Sequence, residues 1–424
     1  MPRLLAIAAH LGGGRFLMTR IERALDELRT RGGIPLRVRL WDGRSFDLSP
    51  EPPVTVTLRE PAVVADLIGS DLCTLAEALI DGRIEAVGPT LDIVRAGEAL
   101  ARAADSSRGS GLPRAVRRQW RHSKNEDADA IRRHYDVSND FYALWLDREM
   151  IYSCAYFRSG DEGLDIAQRQ KLDHICRKLM LKPGERLLDI GCGWGALVRH
   201  AAREYGVSAT GITLSQQQFD YASARIGADG LADSCHVLLE DYRDHAGAGI
   251  YDKIVSVGMF EHVGIENFPT YFGVVARLLR TGGLFLNHGI TSTDVDGRAV
   301  GLGGGVFIGR HIFPGGELAH LTKAVREIGA AGLEVRDVES LREHYALTLR
   351  HWTGRLEAAA GEACALVGER TLRTWLLYLA GCAHAFARNW VSVYQILAAK
   401  TDNEGLCPLP WTRAHLYIEE EEEG

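Results

Sequence analysis

The stretch Leu187–Gly195, LLDIGCGWG, runs from an apolar, strand-like segment into three glycines spaced two apart, Gly191, Gly193 and Gly195. Lacking a Cβ, glycine lets the backbone turn tightly and approach a ligand closely. A dinucleotide site calls for G-x-G-x-x-G and for an acid at the end of the second strand to hold a ribose. Here the spacing is G-x-G-x-G, and the second strand ends in Thr213-Leu214-Ser215 with no acid. The acid sits instead at Asp189, two residues before the first glycine. That arrangement suits a ligand with no pyrophosphate but with an amino-acid moiety and a sulfonium, namely S-adenosylmethionine. A plain strand–helix turn with no ligand would show the same glycines.

Four other positions carry chemistry only in combination. Cys154 alone reads as a small core residue. His288 follows the apolar run GGLFLN and fits a hydrogen-bonded core histidine. Glu261-His262 fits a cap on the helix after SVGMF, and Tyr345 lies in a helical region where an aromatic packs.

Five further stretches, two of them holding Cys154 and Glu261, accompany the glycine turn. They are HYDVSNDFYALWLDREMIYSCAYF (134–157), GITLSQQQ (211–218), LLEDYRD (238–244), IVSVGMFEHVGIENFPTYF (254–272) and HIFPGGEL (311–318). With LLDIGCGWG, in this order and over about residues 127–400, they resemble the cyclopropane fatty acid synthase family. The resemblance implies methyl transfer from S-adenosylmethionine to a cis double bond in the acyl chain of a membrane phospholipid. An alkene is a poor nucleophile, so the sulfonium must be held close and in line. Transfer leaves a carbocation on the chain, and loss of a proton from the new methyl closes a cyclopropane. The family uses a bound bicarbonate ion as the base.

Carried over by motif, the anion's partners are the backbone N–H groups of Cys154 and Ile290 and the side chains of Glu261, His288 and Tyr345. Fixed donors of this kind typically contribute a few kcal/mol each where charge moves. For the cofactor, the resemblance assigns Tyr152, Ser153, Gly191 and Gly193, beside Asp189. Thr213 and Gln218 are assigned to its amino-acid or ribose end, and Asp241 and Tyr242 to the adenine. Tyr156, Phe157, Phe260, Phe268, Tyr271 and Phe272 supply aromatic faces that could line an acyl tunnel and stabilise a cation. The loop GVFIGRHIFPGG carries Gly309-Arg310 where a tyrosine- or lysine-bearing segment is common in the family. Such a change bears on the acceptor. The same carbocation can also lose a proton elsewhere and give a methyl or methylene branch. A small-molecule methyltransferase and a non-catalytic lipid binder are the remaining alternatives.

The elements that must position these residues follow from periodicity. From about residue 180, the strands ERLLDIG, SATGIT, KIVSVG and GGLFLNHGI alternate with the helices WGALVRHAAREYG, SQQQFDYASARIGADG and FPTYFGVVARLLRTGG. This alternation predicts a parallel, doubly wound, Rossmann-like α/β sheet of the class I S-adenosylmethionine methyltransferase type. LEVRDVESL and WVSVYQILAA add strands around a helical region from about 342 to 388. Residues 1–104 predict a small α+β accessory domain, similar to a lipid carrier. It holds an amphipathic helix over about 15–30 and a hairpin turning at Asp42-Gly43. VTVTLRE reads as a strand, and PAVVADLIGS and CTLAEALIDGRIEAVG as short helices and loop. Residues 105–126 read as a basic linker, with Arg114, Arg117, Arg118, Arg121 and Lys124 around Trp120. Residues 127–418 read as the catalytic domain and 419–424 as an acidic tail. The glycine-rich run Gly301–Gly316 reads as an irregular loop suited to a lid.

Composition sets the outer bounds. The 424 residues are 46% apolar and 25% charged, so a sizeable core is available. Of the formal charge of −7, Glu419–Glu423 carry five, leaving −2 for the rest. A nearly neutral body gives no case for a nucleic-acid partner. The eight cysteines form no C-x-x-C pair and no zinc spacing, so no metal is expected and the chain reads as reduced and cytoplasmic. No apolar stretch reaches a membrane span. Contact with lipid is therefore expected to be peripheral, at the inner face of the membrane, through the basic linker and its tryptophan and the mildly apolar loop with Val306, Phe307 and Ile308; a plain solvated linker would show the same scattered arginines. The family resemblance implies a homodimer.

Overall fold

The computed structural model describes residues 14–68, 71–105, 138–296, 301–313, 316–407 and 409–417. The basic stretch around Trp120 and the acidic run Glu419–Glu423 lie outside the described residues. The chain forms two compact units. One collects residues 1–119, 299–314 and 349–385, the other 120–298, 315–348 and 386–424.

In the first unit, helix α1 (Gly14–Arg31) buries Ile21, Leu25 and Leu28, the 3.6-residue stripe that its sequence shows. Strand β1 (Leu36–Arg39) pairs antiparallel with β2 (Ser45–Asp47). Gly43, at φ +89, turns the chain between them. Strand β3 (Val54–Leu58) runs parallel to β1, and β4 (Ile84–Val87) runs antiparallel to β3, giving the order β2-β1-β3-β4. The segment IEAV, expected within a helix-and-loop region, is this edge strand. Gly82, at φ +71, ends the preceding helix Leu72–Ile80, and only Ile84 of the strand is buried, so its periodicity is faint. The run expected as an irregular loop is helical over Gly304–His311, with Phe307 buried. Arg310 and His311 of that helix both reach the Glu77 carboxylate.

The second unit is a seven-stranded sheet with helices on both faces. Its order is β10 (Glu334–Ser340), β11 (Val391–Ala399), β9 (Leu279–Ser292), β8 (Tyr251–Val257), β5 (Arg186–Ile190), β6 (Ser208–Thr213), β7 (Cys235–Leu239). Strands β5 to β9 pair parallel, as the alternation predicts. Strand β11 lies between β9 and β10 and runs antiparallel to both, so the sheet is mixed at that edge. Both faces are covered, and β5 and β8 are accordingly near-continuous apolar runs. Successive residues point to opposite faces. Leu187 joins the core that includes Ile175, Val198, Val255 and Leu286, while Leu188 joins the one that includes Phe272, Val275, Phe285 and Ile328. Phe260, Phe268 and Tyr271 also pack in that second core. Among the described residues, no helix is long and apolar enough to cross a membrane.

Gly211 of β6 is packed without room for a side chain: a Cβ there would stand 2.7 Å from Cβ and Sγ of Cys192. Overfilling a packed site costs about 1–3 kcal/mol. Gly211→Ala is therefore expected to lower the unfolding free energy by that amount, read as a lower urea midpoint at unchanged m-value. An unshifted midpoint would mean that the Cys192 turn yields freely.

Candidate active site

The turn after β5 has the backbone its glycines permit. Gly191, Gly193 and Gly195 take φ of +82°, +55° and +81°. The amides of Gly191 and Cys192 both donate to the Ile212 carbonyl at 3.0 Å, which pins the turn to β6. A Cβ on Gly191 would meet Met259 at 2.9 Å, and one on Gly195 would meet Ala222 at 2.9 Å. Nothing lies within 4 Å of the place a Gly193 Cβ would take. Gly193 faces the cavity that the turn encloses.

That cavity is lined by eight of the nine residues expected at the cofactor: Tyr152, Ser153, Asp189, Gly191, Gly193, Thr213, Gln218 and Tyr242. Thr213 donates to Gln218 at 2.8 Å, which sets both side chains. Asp241 does not line it. Its carboxylate accepts from the Arg243 backbone amide at 2.9 Å and from that guanidinium at 2.8 and 2.6 Å. Glu240 lines the cavity instead, its carboxylate 2.9 Å from Nδ1 of His245. Nε2 of His245 lies 2.9 Å from the Tyr251 hydroxyl.

The charge pattern of the cavity is set by burial. Asp189 is 2% exposed, and its Oδ1 has no hydrogen-bond partner. Desolvation pushes its pKa up to about 7, with Lys171 pulling the other way. Lys171, also 2% exposed, lines the same cavity and donates to Ser153 Oγ at 3.0 Å. Burial lowers its pKa to about 8 against the opposing pull of Asp147, Cys154 and Asp189. Gln168 donates to the Ser153 carbonyl at 3.0 Å. Asp147 accepts the amides of Ile151 and Glu149 at 2.8 and 3.0 Å, and burial raises it to about 6. Between these anchors Met150 is held at φ +59, a left-handed conformation uncommon for a non-glycine residue.

Lys171, Gln168 and Asp147 were not singled out from sequence. A signal was present for two of them. On the helix Leu164–Lys178, Gln168 and Lys171 fall on the stripe of Leu164, Ala167, Leu172 and Ile175, where an all-apolar face is expected.

A second set of buried polar groups gathers at the end of β9. Glu261, 8% exposed, accepts the Ile290 amide at 2.6 Å through Oε1, while Oε2 has no partner. Desolvation raises its pKa to about 7. The Ile290 amide, expected to donate to an anion, thus donates to Glu261. His288 is 2% exposed and held far toward its neutral form by burial, with Lys171 and Lys178 adding to the shift. Its Nε2 has no partner. Cys154 is buried, with its Sγ 3.2 Å from the Ala155 carbonyl and 3.7 Å from that of Leu341. Burial drives its thiol far upward, so it is no thiolate nucleophile. Tyr345 is buried with its ring 4.6 Å from that of Phe386. These five residues do not line the cavity of the glycine turn. Of the aromatics expected to face an acyl chain, Tyr156 is stacked between His174 and His344, at 4.1 and 4.9 Å.

The acid before the glycine turn, with no acid at the end of β6, fits an S-adenosylmethionine-dependent methyltransferase and not a dinucleotide enzyme. Solved structures agree. The mycolic acid cyclopropane synthase CmaA1, complexed with SAH and CTAB, matches at a TM-score of 0.60 and 37% identity, over 64% of this chain and 97% of that one. The chain belongs to the mycolic acid cyclopropane synthetase family, which it matches over residues 122–396. A probable fatty acid methyltransferase of Pseudomonas putida is 49% identical over 95% of this chain and 100% of its own. The cyclopropane-fatty-acyl-phospholipid synthase of Escherichia coli K12 is 41% identical over 64% of this chain and 68% of its own.

Asp189 makes the cost of this site measurable. Its folded-state pKa lies above its usual value, so the native chain keeps a proton that the unfolded chain has lost. Stability therefore falls as pH rises from about 4 to about 7. Asp189→Asn is expected to remove that fall, gaining more over wild type at about pH 8 than at about pH 5. Urea unfolding at the two pH values checks it, and an equal gain at both would contradict it.

Proposed function

We propose that this enzyme methylates the cis double bond of an unsaturated phospholipid acyl chain and closes a cyclopropane ring with bicarbonate as the base. When bound, S-adenosylmethionine supplies the methyl group and bicarbonate accepts the proton lost on ring closure. The observation that carries this reading is the pair of unpartnered buried atoms, Glu261 Oε2 and His288 Nε2. Buried polar atoms in folded proteins are nearly always satisfied, and Glu261 is bonded to the Ile290 amide two residues beyond His288 on β9, so these orphans suit a small polar ligand.

The chain's own groups do the following. Asp189 offers a desolvated carboxylate to a cationic ligand, an interaction that strengthens as water is excluded. Lys171 holds the Ser153 hydroxyl, and Gln168 the Ser153 carbonyl. The Ile290 amide fixes the Glu261 carboxyl, leaving Oε2 for the anion's hydroxyl. A carboxyl with its pKa near 7 can accept or donate a proton at neutral pH. Neutral His288 donates, and Tyr345 with the Cys154 amide completes the seat.

Residues 127–418 are catalytic, 1–104 form an accessory domain, 105–126 a basic linker and 419–424 a tail. The linker brings the enzyme, as a homodimer, to the inner face of the membrane. A second reading is favoured by the relatives in Pseudomonas putida and Mycobacterium tuberculosis, both named probable fatty acid methyltransferases. In it the chain leaves with a methyl or methylene branch rather than a ring.

Incubation with S-adenosylmethionine and unsaturated phospholipid vesicles separates the two. Upfield cyclopropyl protons in the product support ring closure, and a branched chain overturns it. Glu261→Gln is expected to bind S-adenosylmethionine as wild type does yet lose about 10²–10³ in turnover. Full wild-type turnover in bicarbonate-free buffer would sink the anion's role.

A further inference from the structure

His288 has two ring nitrogens, and its use depends on which carries the hydrogen. Its Nδ1 lies 3.3 Å from Nε2 of Gln395, and both side chains are buried, Gln395 completely. The pairing follows from register. In the antiparallel pair β9–β11, His288 stands directly opposite Gln395, and directly opposite residues project from the same face. Gln395 in turn stands opposite Glu339 of β10. The Glu339 carboxylate is engaged elsewhere, 2.7 Å from Nε2 of His174 and 2.5 Å from Nζ of Lys178.

The amide could face the ring in either of two ways. With its nitrogen toward His288, it donates to a bare Nδ1 and leaves one acceptor, Oε1, without a partner. Turned over, it would accept from Nδ1–H and strand its NH₂ group, which has two hydrogens to satisfy. The first orientation leaves one N–H and the carbonyl oxygen unmade and the second leaves two N–H groups, and an orphaned carbonyl is the less rare of these in a fully buried place. The ring is neutral there, because burial opposes a second proton, and Lys171 and Lys178 add to it.

We propose that Gln395 is a positioning residue that holds His288 as the Nε2–H tautomer, so that His288 serves the site as a hydrogen-bond donor and not as the base. The unpartnered Nε2 is then a donor without an acceptor, which an anion satisfies. The use made of that donor rests on the proposed bicarbonate reading, whereas the tautomer does not. Gln395→Glu reverses the polarity: its carboxylate accepts from Nδ1–H, and Nε2 either loses its hydrogen or the ring gains a charge. Gln395→Met removes the bond with little change of volume and frees both tautomers.

The test is long-range ¹H–¹⁵N correlation of the ¹⁵N-labelled full chain at neutral pH, with His288→Asn identifying the signal. Wild type is expected to show a bare Nδ1 and a protonated Nε2. Gln395→Glu is expected to show Nδ1 protonated. Its turnover should fall about 10²–10³-fold, as when a positioned donor is removed, with S-adenosylmethionine affinity within about twofold of wild type. Gln395→Met should fall less and show both tautomers, with thermal unfolding reporting whether it is folded. A protonated Nδ1 with a bare Nε2 in wild type overturns the inference, and so does a Gln395→Glu enzyme that shows a bare Nε2 and keeps wild-type turnover. Bicarbonate-independent turnover of a wild type that shows the expected tautomer overturns only the anion reading.

Discussion

The site depends on one costly arrangement: Asp189, a carboxylate, stands on a central strand with no hydrogen-bond partner for Oδ1 and almost no access to water. An uncompensated buried charge is among the most expensive features a fold can carry. The fold limits the cost in two ways. The carboxyl keeps its proton up to about pH 7, and Lys171 brings an opposing charge from the helix Leu164–Lys178. What remains is a site tuned to a cation, which is the charge S-adenosylmethionine brings on its sulfonium. The neighbouring glycines leave the space, and Met150 and the anchored Ser153 also line it.

The polar groups of this unit form a seam under one helix. Gln168, Lys171, His174 and Lys178 lie along a single face of Leu164–Lys178. They meet Ser153, the Asp189 charge and Glu339. Glu339, Gln395 and His288 continue the seam as one cross-strand row over β10, β11 and β9. The antiparallel insertion of β11 makes this row possible, since it places Gln395 between the other two. Buried networks are sensitive to any missing partner. Gln168 Oε1 and Gln395 Oε1 are orphaned within the seam, and Glu261 Oε2 and His288 Nε2 are orphaned on the adjacent turn and at the end of the row.

Much of the sheet was legible because its periodicity is strong. The apolar runs of β5, β6, β8 and β9 and the amphipathic helices between them read directly. The antiparallel sense of β11 did not, because a run buried on both faces carries no direction. IEAV was missed as a strand because one buried side chain makes no alternation. The glycine turn and Asp189 could be argued from spacing, but Asp241 and Glu240 could not be told apart. Adjacent acids look alike until Arg243 claims one of them. Lys171 was overlooked because a lysine in a helix is ordinarily solvated. Its signal lay in the face it occupies. The set at Glu261, His288 and Tyr345 came from resemblance, and no spacing rule would have assembled residues so far apart in the chain.

Near pH 7 the buried Asp189 is about half protonated, and a cationic ligand entering beside it favours its ionised form. Calorimetric titration of S-adenosylmethionine near neutral pH, repeated in buffers of different ionisation enthalpy, counts the protons exchanged on binding. The expected result is proton release by wild type that is lost in Asp189→Asn along with most of the affinity. An equal proton count and equal affinity in the two proteins would contradict it.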